Sequence, residues 1–298
     1  MDIQQRLKVF LAVASCGSFS KAMDKAHSSQ PAMSLLIKDL EKDLGVKLFD
    51  RLPRKIRLTD EGKLFRNLAI PLLNDIKELK IKFNEARGQA SCAEIKIAAY
   101  GSVMVYLLPN VVRSFKNKFP SCKLSILSRS RKDILTMVND GDVNFGIGSL
   151  TAIPQGIEYK VFARFDRMLI ARKGHPLSKK RSIGPEDISL YPLLVPPHGS
   201  NTREEIDRAF EKKRIKYTTA MEIVGHEAIK TYVAMDLGVS IMNKYYINDS
   251  DKEKLFVKDV SEHFGSAERG IITKKIGYLP GPAKEFIEMI LKSHRTDL

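Results

Sequence analysis

The sequence is poor in cysteine and has no tryptophan: its 298 residues include only Cys16, Cys92 and Cys122 as cysteines. These three are odd in number, far apart and without a CxxC spacing, so neither a disulfide framework nor a zinc site is indicated. We therefore expect three ordinary thiols and a reducing cytoplasm as the compartment.

Long apolar runs are missing as well. No stretch approaches the roughly 18 consecutive apolar residues of a membrane-spanning helix. The N-terminal sequence acquires polar residues too early for the apolar core of a secretory signal. We expect a chain with neither a membrane segment nor an export signal.

The common catalytic motifs are also absent. There is no glycine-rich phosphate loop, no HExxH and no GxSxG, and the six histidines are dispersed without metal-ligand spacing. His198 and Ser200 have the chemistry of a base and a nucleophile, but residues so near in sequence rarely face each other in the required hydrogen bond. The sequence therefore predicts neither an enzyme nor a cofactor or metal site.

Positive charge is in excess. Fifty lysines and arginines against 35 aspartates and glutamates give a net charge of +15, which attracts nucleic acids and other anions. Residues 1–88 hold 17 basic and 11 acidic side chains, so the excess is spread along the chain and does not locate a nucleic-acid-binding part. The length predicts two folding units rather than one.

Three short helices are predicted in the first 45 residues. Apolar residues recur at helical spacing over 4–15, over 18–27 and from Ser29 to Asp43, where Ser29 and Pro31 are typical of a helix start. The second and third helices, joined by a tight turn, form the helix-turn-helix arrangement, whose second helix enters the major groove of DNA. A plain helical hairpin is the alternative.

The next segment favours the DNA-binding interpretation. Residues 51–59 alternate basic and apolar side chains around Pro53, which predicts a two-stranded wing whose outer cations suit phosphates. From Asp60 a helical pattern continues for about 28 residues, with apolar positions in six steps that span 21 residues, the coiled-coil period. These positions are Phe65, Leu68, Leu72, Ile76, Leu79, Phe83 and Ala86. We expect a dimerising linker helix; a surface helix packed on its own domain is the alternative.

Beyond residue 92 short apolar strands alternate with helices. This alternation predicts α/β lobes with largely parallel sheets, which bind ligands beyond the carboxyl ends of their strands. The strand candidates are 94–99, 123–128, 145–147, 167–172, 193–195, 220–224, 239–242 and 270–273. The helix candidates are 103–118, 131–139, 202–213, 226–236 and 281–292.

Several of these segments together resemble the LysR-type transcriptional regulators over essentially the whole chain. Five resemble the family's DNA-binding signature and its junction with the linker: 17–22 (GSFSKA), 29–34 (SQPAMS), 37–41 (IKDLE), 44–51 (LGVKLFDR) and 58–62 (LTDEG). Five more resemble its effector domain: 107–109, 119–120, 141–147, 173–177 and 237–241. Each motif is weak alone, but their order and separations make the resemblance specific.

The resemblance implies an α/β chain in three parts. These are a winged helix-turn-helix DNA-binding domain (1–59), a linker and dimerisation helix (60–88) and a two-lobed effector-binding domain (92–298). The last part is expected to be similar to periplasmic binding proteins, with a ligand cleft between lobe I (about 92–164 and 268–298) and lobe II (about 165–267). The family also implies dimers of dimers on promoter DNA.

The expected DNA contacts come from the helix-turn-helix and the wing. Gln30 can pair with adenine, whereas Ser29 and Lys38 suit phosphates. Leu35 and Leu36 depart from the family, which usually has polar or basic residues there, so readout by Leu35 is apolar, for example against a thymine methyl group. The alternative for the lysines and arginines among these candidates is that they form a solvated basic surface without contacting DNA. The candidate set is Ser18, Phe19, Ser20, Ser28, Ser29, Gln30, Pro31, Ser34, Leu35, Lys38, Arg51, Arg54, Lys55 and Arg57.

The expected effector contacts follow predicted strands or open predicted helices. Hydroxyls and backbone N–H groups at helix N-termini form a ready site for a carboxylate or another oxyanion. Helix capping alone is the alternative for 200–202, and a structural role is the alternative for His226. The candidate set, at the positions where the family holds its inducer, is Tyr100, Gly101, Ser102, Ser149, His198, Gly199, Ser200, Asn201, Thr202, Gly225 and His226.

The expected function is that of a LysR-type DNA-binding regulator whose promoter binding or bending responds to a small anionic effector. The expected partners are double-stranded DNA, the effector, further copies of the chain and RNA polymerase. Residues 224–233 with Thr202 resemble the branch that regulates sulfur assimilation, while catabolism of aromatic rings is another role in the family. A solute-binding protein without DNA function is the alternative class, against which the basic helical N-terminal part argues.

Overall fold

Three helices and a β-hairpin form the N-terminal module of the computed structural model, which describes residues 2–52, 55–87 and 94–294. The helices are α1 (Ile3–Cys16), α2 (Phe19–Ala26) and α3 (Gln30–Leu44), and the strands of the wing are β1 (Phe49–Leu52) and β2 (Lys55–Leu58). β1 and β2 pair in antiparallel register, from Phe49 opposite Leu58 to Leu52 opposite Lys55. The helix bounds agree with the predicted ones to within one or two residues.

An apolar core with one buried carboxylate holds this module together. The ring of Phe10 lies 5.3 Å from the ring of Phe49 and 5.0 Å from that of Phe65, measured between centroids. The buried Glu41 of α3 accepts hydrogen bonds from the backbone N–H groups of Leu48 and Phe49 at 2.8 and 3.3 Å. Because a buried carboxylate needs such donors, this contact fixes the start of the wing against α3.

A 27-residue helix, α4 (Asp60–Ala86), follows the wing. The hydroxyl of Thr59 accepts a hydrogen bond from the N–H of Gly62 at 2.9 Å and donates one to the carbonyl of Lys47 at 2.7 Å, which caps the helix. A Cβ atom at Gly62 would meet the carbonyl oxygen of Leu48 at 2.1 Å. The close approach of α4 to the wing therefore requires glycine.

The two faces of α4 have different surroundings. Ala69 and Leu73 are buried against Leu7 of α1. Phe65, predicted as part of the dimerising row, packs instead in the core of the module beside Phe10, so that prediction is wrong for this residue. On the opposite face a row of large apolar side chains is exposed: Leu64, Leu68, Leu72, Ile76, Leu79 and Phe83. We call these six residues the α4 row.

The rest of the described chain forms two α/β lobes. In chain order, the elements of lobe I up to the crossover strand β6 are β3 (Glu94–Ala99), α5 (Gly101–Tyr106), α6 (Pro109–Lys118), β4 (Lys123–Ser128), α7 (Arg131–Asp140), β5 (Phe145–Gly148) and β6 (Ile157–Arg172). Those of lobe II are α8 (Pro185–Ile188), β7 (Leu193–Val195), α9 (Asn201–Lys212), β8 (Thr219–Glu222), α10 (His226–Ala234), β9 (Ser240–Asn243), α11 (Asp251–Lys254), β10 (Leu255–Asp259) and α12 (Ser261–Phe264). The chain then returns to lobe I as β11 (Ser266–Lys274) and α13 (Gly281–Ser293).

The sheets are mixed rather than largely parallel. β3 pairs in parallel with β4 and β5, whereas β11 is antiparallel to β5 and β6, and β6 is antiparallel to β9 and β10. In lobe II, β7 and β8 are parallel, and an isolated bridge joins Leu193 to Val239 beside β9. The prediction missed β10 and the first ten residues of β6, and it fused α5 with α6. Pro109 starts α6 as a separate helix.

Each lobe has its own apolar core. In lobe I, Phe115, Phe145 and Phe286 pack between the helices and the sheet. In lobe II, Phe210 and Val239 occupy the equivalent layer. Because the cores are separate, the space between the lobes is free to form a cleft.

The structure corrects the expected state of one cysteine. Cys16 is a free thiol, but Cys122 is disulfide-bonded, so the expectation of three thiols is wrong for Cys122; Cys92 lies outside the described residues. Among the helices of the described segments, none is both long and apolar enough to span a membrane.

Replacement of Gly62 by alanine tests the contact between α4 and the wing. The added Cβ would collide with backbone rather than with a movable side chain, so we expect a loss of about 1–3 kcal/mol in the free energy of unfolding. The measurement is urea denaturation followed by circular dichroism. Lys63→Ala is the control, because Lys63 lies one residue further along α4 and its side chain is 65% exposed; equal stability of both variants would contradict the collision.

Candidate effector cleft and DNA-binding surface

The outer face of α3 is open to solvent. The predicted DNA-contact residues that are exposed are Ser20, Ser29, Gln30, Pro31, Leu35, Lys38 and Arg57, and those that are half-buried are Ser18, Phe19, Ser28 and Ser34. Leu35 is 59% exposed, whereas Phe19 packs against the core of the module. Ser29 precedes α3 but its side chain makes no capping hydrogen bond, so its hydroxyl is available to a ligand.

The wing follows α3 along the chain and is joined to it by the hydrogen bonds of Glu41 with Leu48 and Phe49. Arg51 lies in β1 opposite Ile56, and Lys55 lies in β2 opposite Leu52. Arg57, also in β2, is exposed. Arg54, at the predicted tip, lies outside the described residues.

A cavity of about 590 Å³ lies between the two lobes. The predicted effector residues that line it are Tyr100, His198, Gly199, Ser200, Asn201, Thr202, Gly225 and His226. The lining residues that the sequence reading missed are Ser130, Arg131, Lys132, Pro196, Pro197, Ile223, Val224, Ile229, Tyr246 and Arg269. Most of these residues follow the carboxyl ends of β3, β4, β7 and β8, the edge at which such sheets bind ligands.

Three predicted effector residues do not line the cavity. Gly101 and Ser102 lie in the first turn of α5, directly after Tyr100. Ser149 is buried, and its carbonyl accepts a hydrogen bond from the hydroxyl of Tyr100 at 3.3 Å. Of these three residues, Ser149 positions Tyr100 through this hydrogen bond. Position at a strand end therefore does not by itself decide which side chains reach the cleft.

One lobe II wall of the cavity is held by a buried arginine. The Nε atom of Arg203 donates to Asp207 at 2.9 Å, and its Nη1 atom donates to Glu222 at 3.1 Å and to the carbonyl of Pro196 at 3.4 Å. Its Nη2 atom lies 3.2 Å from Nε2 of His198. This network fixes the loop that leads into α9, whose Ser200 caps the helix by accepting from the N–H of Arg203 at 3.3 Å.

Polar contacts also join the two lobes across the cleft. Nδ2 of Asn201 in lobe II donates to the hydroxyl of Tyr100 in lobe I at 3.5 Å. The hydroxyl of Tyr106 in α5 donates to Glu227 in α10, and burial together with this carboxylate raises the pKa of Tyr106. The lobes are therefore in hydrogen-bonded contact on both sides of the cavity.

His226 is a neutral ring at the cavity wall. Its ring lies 3.5 Å from that of Tyr246, between centroids. Burial, followed by the positive charge of Arg269, lowers the pKa of His226 to about 4. Ring packing therefore supports a structural role for His226, which is the alternative to a binding role.

Helix α7 joins the cavity to the linker helix. Its first residue, Arg131, lines the cavity, and its last, Asp140, forms an ion pair with Arg66 of α4 at 2.6 Å. Nδ2 of Asn74 in α4 donates to the carbonyl of Asp140 at 3.4 Å. A single helix therefore contacts both the cleft and the element that carries the DNA-binding module.

Two family models match the chain. Residues 88–295 match the LysR substrate binding domain, and residues 4–63 match the bacterial regulatory helix-turn-helix protein, lysR family. The chain belongs to the LysR family. It is a DNA-binding transcription regulator with an effector-binding domain, as the resemblance implied.

Named relatives agree with this assignment. The chain is 29% identical to the HTH-type transcriptional activator CmpR of Synechocystis sp. over 243 residues, 80% of this chain and 78% of the relative. It is 26% identical to the HTH-type transcriptional regulator CysB of Burkholderia cenocepacia over 293 residues, 97% and 93% of the two chains. The chain is about equally similar to regulators with different names. Its membership of the sulfur-assimilation branch therefore stays a prediction.

A solved structure shows the same fold. A full-length OxyR variant from Pseudomonas aeruginosa superposes with a TM-score of 0.72 at 22% identity, over 99% of this chain and 95% of that one. Within the described residues, no group of three or more histidine, cysteine, aspartate or glutamate side chains is placed to hold a metal ion.

The depressed pKa of His226 predicts how stability depends on pH. Histidine in an unfolded chain titrates near 6.5, whereas folded His226 takes up a proton only near pH 4, so within this window the unfolded state binds more protons. The free energy of unfolding should rise with pH from 4 to 6.5 and lose this dependence above it. We expect His226→Gln to reduce the slope by up to one proton, measured by urea denaturation across the window. An unchanged slope in His226→Gln would refute the assignment.

Proposed function

We propose that this LysR-family regulator holds promoter DNA between the outer face of α3 and the wing, and that a small anion in the cleft changes how paired modules are held. The observation that carries the first part is that Ser29, Gln30 and Lys38, at the start and in the middle of α3, are exposed to solvent. Helices of this type read bases in the major groove while neighbouring cations contact phosphates.

The exposed residues of α3 suit different parts of the DNA. Gln30 can form a bidentate pair with adenine, and the free hydroxyl of Ser29 suits a phosphate. Leu35 offers no hydrogen bond, and its exposure suits the methyl group of thymine. Arg51, Arg54, Lys55 and Arg57 are assigned to the DNA backbone.

The α4 row supports self-association. Six large apolar side chains exposed along one helix form a patch of the kind that marks a protein interface. We assign it to a second copy of the chain, with α4 paired against α4, and we assign the assembly on DNA to a dimer of dimers. Two modules held in this way would read paired half-sites.

The cleft supports control by a ligand. A ligand shifts the arrangement of the lobes only to the extent that it binds one arrangement more tightly. The contacts of Asn201 with Tyr100 and of Tyr106 with Glu227 are those that a change of lobe angle would make or break. Through α7 such a change would reach α4 and hence the DNA.

The remaining assignments follow from the same function. A regulator of transcription meets its DNA in the bacterial cytoplasm, and the promoter-bound form would contact RNA polymerase. We assign no catalytic activity to the cleft. The relatives of this chain are named as regulators, and no catalytic arrangement is recognised among the described residues.

Genome-wide mapping of bound promoters, followed by binding to the mapped fragments in vitro, tests the function. We expect tight binding that weakens steeply as the salt concentration rises, because phosphate contacts release counterions. If the purified protein bound neither its own upstream region nor any mapped promoter in this way, the proposed function would be wrong.

Removal of a wing cation should weaken binding without changing sequence preference. We expect Arg57→Ala to lower affinity on every fragment by a similar factor and to reduce the slope of log affinity against log salt by about one. Fluorescence anisotropy at several salt concentrations measures both effects. Lys216→Ala, at an exposed cation of lobe II, is the control; loss on a single fragment only would contradict the phosphate role of Arg57.

A charge placed in the α4 row should separate the dimer. Leu68 is 65% exposed in the single chain, so Leu68→Glu should leave the fold intact and oppose burial against a second copy. We expect a shift towards monomer in analytical ultracentrifugation. Lys63→Glu, on the polar side of the same helix, should remain dimeric, and an equally dimeric Leu68→Glu would exclude the row from the interface.

A further inference from the structure

A second cavity, of about 570 Å³, lies where three parts of the chain meet. Its lining comes from α1 and α2 of the N-terminal module, from α4, and from the end of α7 with the turn that follows it. Among the described residues, none lines both this cavity and the cleft between the lobes. The cavity is therefore a separate candidate site, and we call it the junction cavity.

Packing contacts hold the parts around the junction cavity together. Leu73 of α4 is buried against Leu7 of α1, and Nδ2 of Asn74 donates to the carbonyl of Asp140 at the end of α7 at 3.4 Å. A Cβ atom at Gly141 would meet Nδ2 of Asn74 at 2.4 Å, so α4 and the turn after α7 approach closely. The cavity thus belongs to a packed junction.

The lobe I side of the junction cavity carries one carboxylate without a cation. Asp140 and Asp142 both line the cavity, and Arg66 of α4 pairs with Asp140 at 2.6 Å. The side chain of Asp142 is exposed, and within the described segments it forms neither an ion pair nor a hydrogen bond. Asp142 therefore has its full capacity left for a ligand.

The module side carries two cations without a carboxylate. Lys8 of α1 is exposed and pairs with no carboxylate of residues 2–52, 55–87 and 94–294. The ammonium group of Lys25 in α2 donates to the neutral hydroxyl of Ser15 at 3.2 Å. Asp2, the one acidic residue among the lining residues of the module, accepts from the N–H of Gln4 at 2.9 Å and so caps α1.

This distribution of charge favours a ligand with charges of both signs. A simple anion could pair with Lys8 and Lys25 but would also meet Asp142, and a simple cation would meet the two lysines; like charges brought together in a binding site oppose binding. A zwitterion can pair with both sides. The volume lies within the roughly 300–1,000 Å³ of sites for small organic molecules, and Leu11 and Ile70 add apolar lining.

We propose that the junction cavity binds a zwitterion of the amino-acid class, whose carboxylate pairs with Lys8 and Lys25 and whose ammonium group pairs with Asp142. A ligand held in this way links the DNA-binding module directly to lobe I. The inference goes beyond the proposed function and does not depend on it, because occupancy of the cavity can be measured without DNA.

Matched probes test the requirement for two charges. The full-length protein is titrated by calorimetry with glycine, alanine, serine, leucine, methionine and phenylalanine. Each amino acid that binds is compared with its N-acetyl derivative, which keeps only the negative charge, and with its amide, which keeps only the positive charge. We expect at least one amino acid to bind at least threefold more tightly than both derivatives. Binding of none of the six, or equal binding of either derivative, would overturn the proposal.

Variants show which side chain holds which charge. We expect Lys8→Gln to weaken binding of the amino acid and of its N-acetyl derivative by about three- to tenfold, a modest factor because the charges are exposed, and to leave binding of the amide unchanged. Asp142→Asn should weaken binding of the amino acid and the amide and spare the N-acetyl derivative. A loss in only one variant, or in neither, would contradict the two-sided site.

Two controls and a third variant locate the binding. Lys21→Gln and Asp24→Asn make the same substitutions at exposed residues of α2 outside the junction cavity, and we expect wild-type affinity in both. Lys132→Gln removes an exposed cation of the cleft between the lobes. Loss of binding in Lys132→Gln with wild-type affinity in Lys8→Gln and Asp142→Asn would place the amino acid in that cleft and overturn the inference.

Hydrogen exchange measured by mass spectrometry tests the link between module and lobe. The amino acid that binds should slow exchange both in α1 and in the segment 137–143, because the ligand contacts both. Protection of only one of these segments would refute the link.

Discussion

The antiparallel pairing of β6 with β11 holds the effector-binding domain together, because both lobes are attached to it. The pairing runs from Ile157 opposite Lys274 to Asp166 opposite Ser266, and β6 then continues into lobe II, where it pairs with β9 and β10. Its register shifts between Arg269 and Gly270, where a Cβ atom on the glycine would meet the Tyr159 ring at 2.2 Å. This irregularity in the strand pairing therefore lies beside Arg269, the buried cation that lines the cleft.

Cationic side chains lie both in the N-terminal module and in the cleft, but they differ in their exposure to solvent. In the N-terminal module Lys38 of α3 and Arg57 of the wing are exposed, where water screens their charges and a polyanion can displace their counterions. In the cleft Arg269 is buried, so its attraction to a small anion would be screened less by water. One net charge of +15 thus serves two classes of partner, separated by burial rather than by sign.

Local patterns in the sequence predicted the helices well, because amphipathic spacing and helix-start residues such as Ser29 and Pro31 are local signals. Strand direction was predicted poorly, because pairing partners are distant in sequence and β6 mixes charged and apolar residues along its 16 positions. The cleft was found in part, from residues that follow strands. Arg269 was missed because it lies inside a strand, and an arginine there reads as a solvent-facing residue until its burial is known.

Helix α7 has a mechanical consequence. Its ten residues make a rod about 15 Å long, anchored at one end by Arg66 and open to the cleft at the other. A displacement of the Ser130 end would therefore tilt α7 as a unit. The ion pair between Asp140 and Arg66 is the contact through which such a tilt would reach α4.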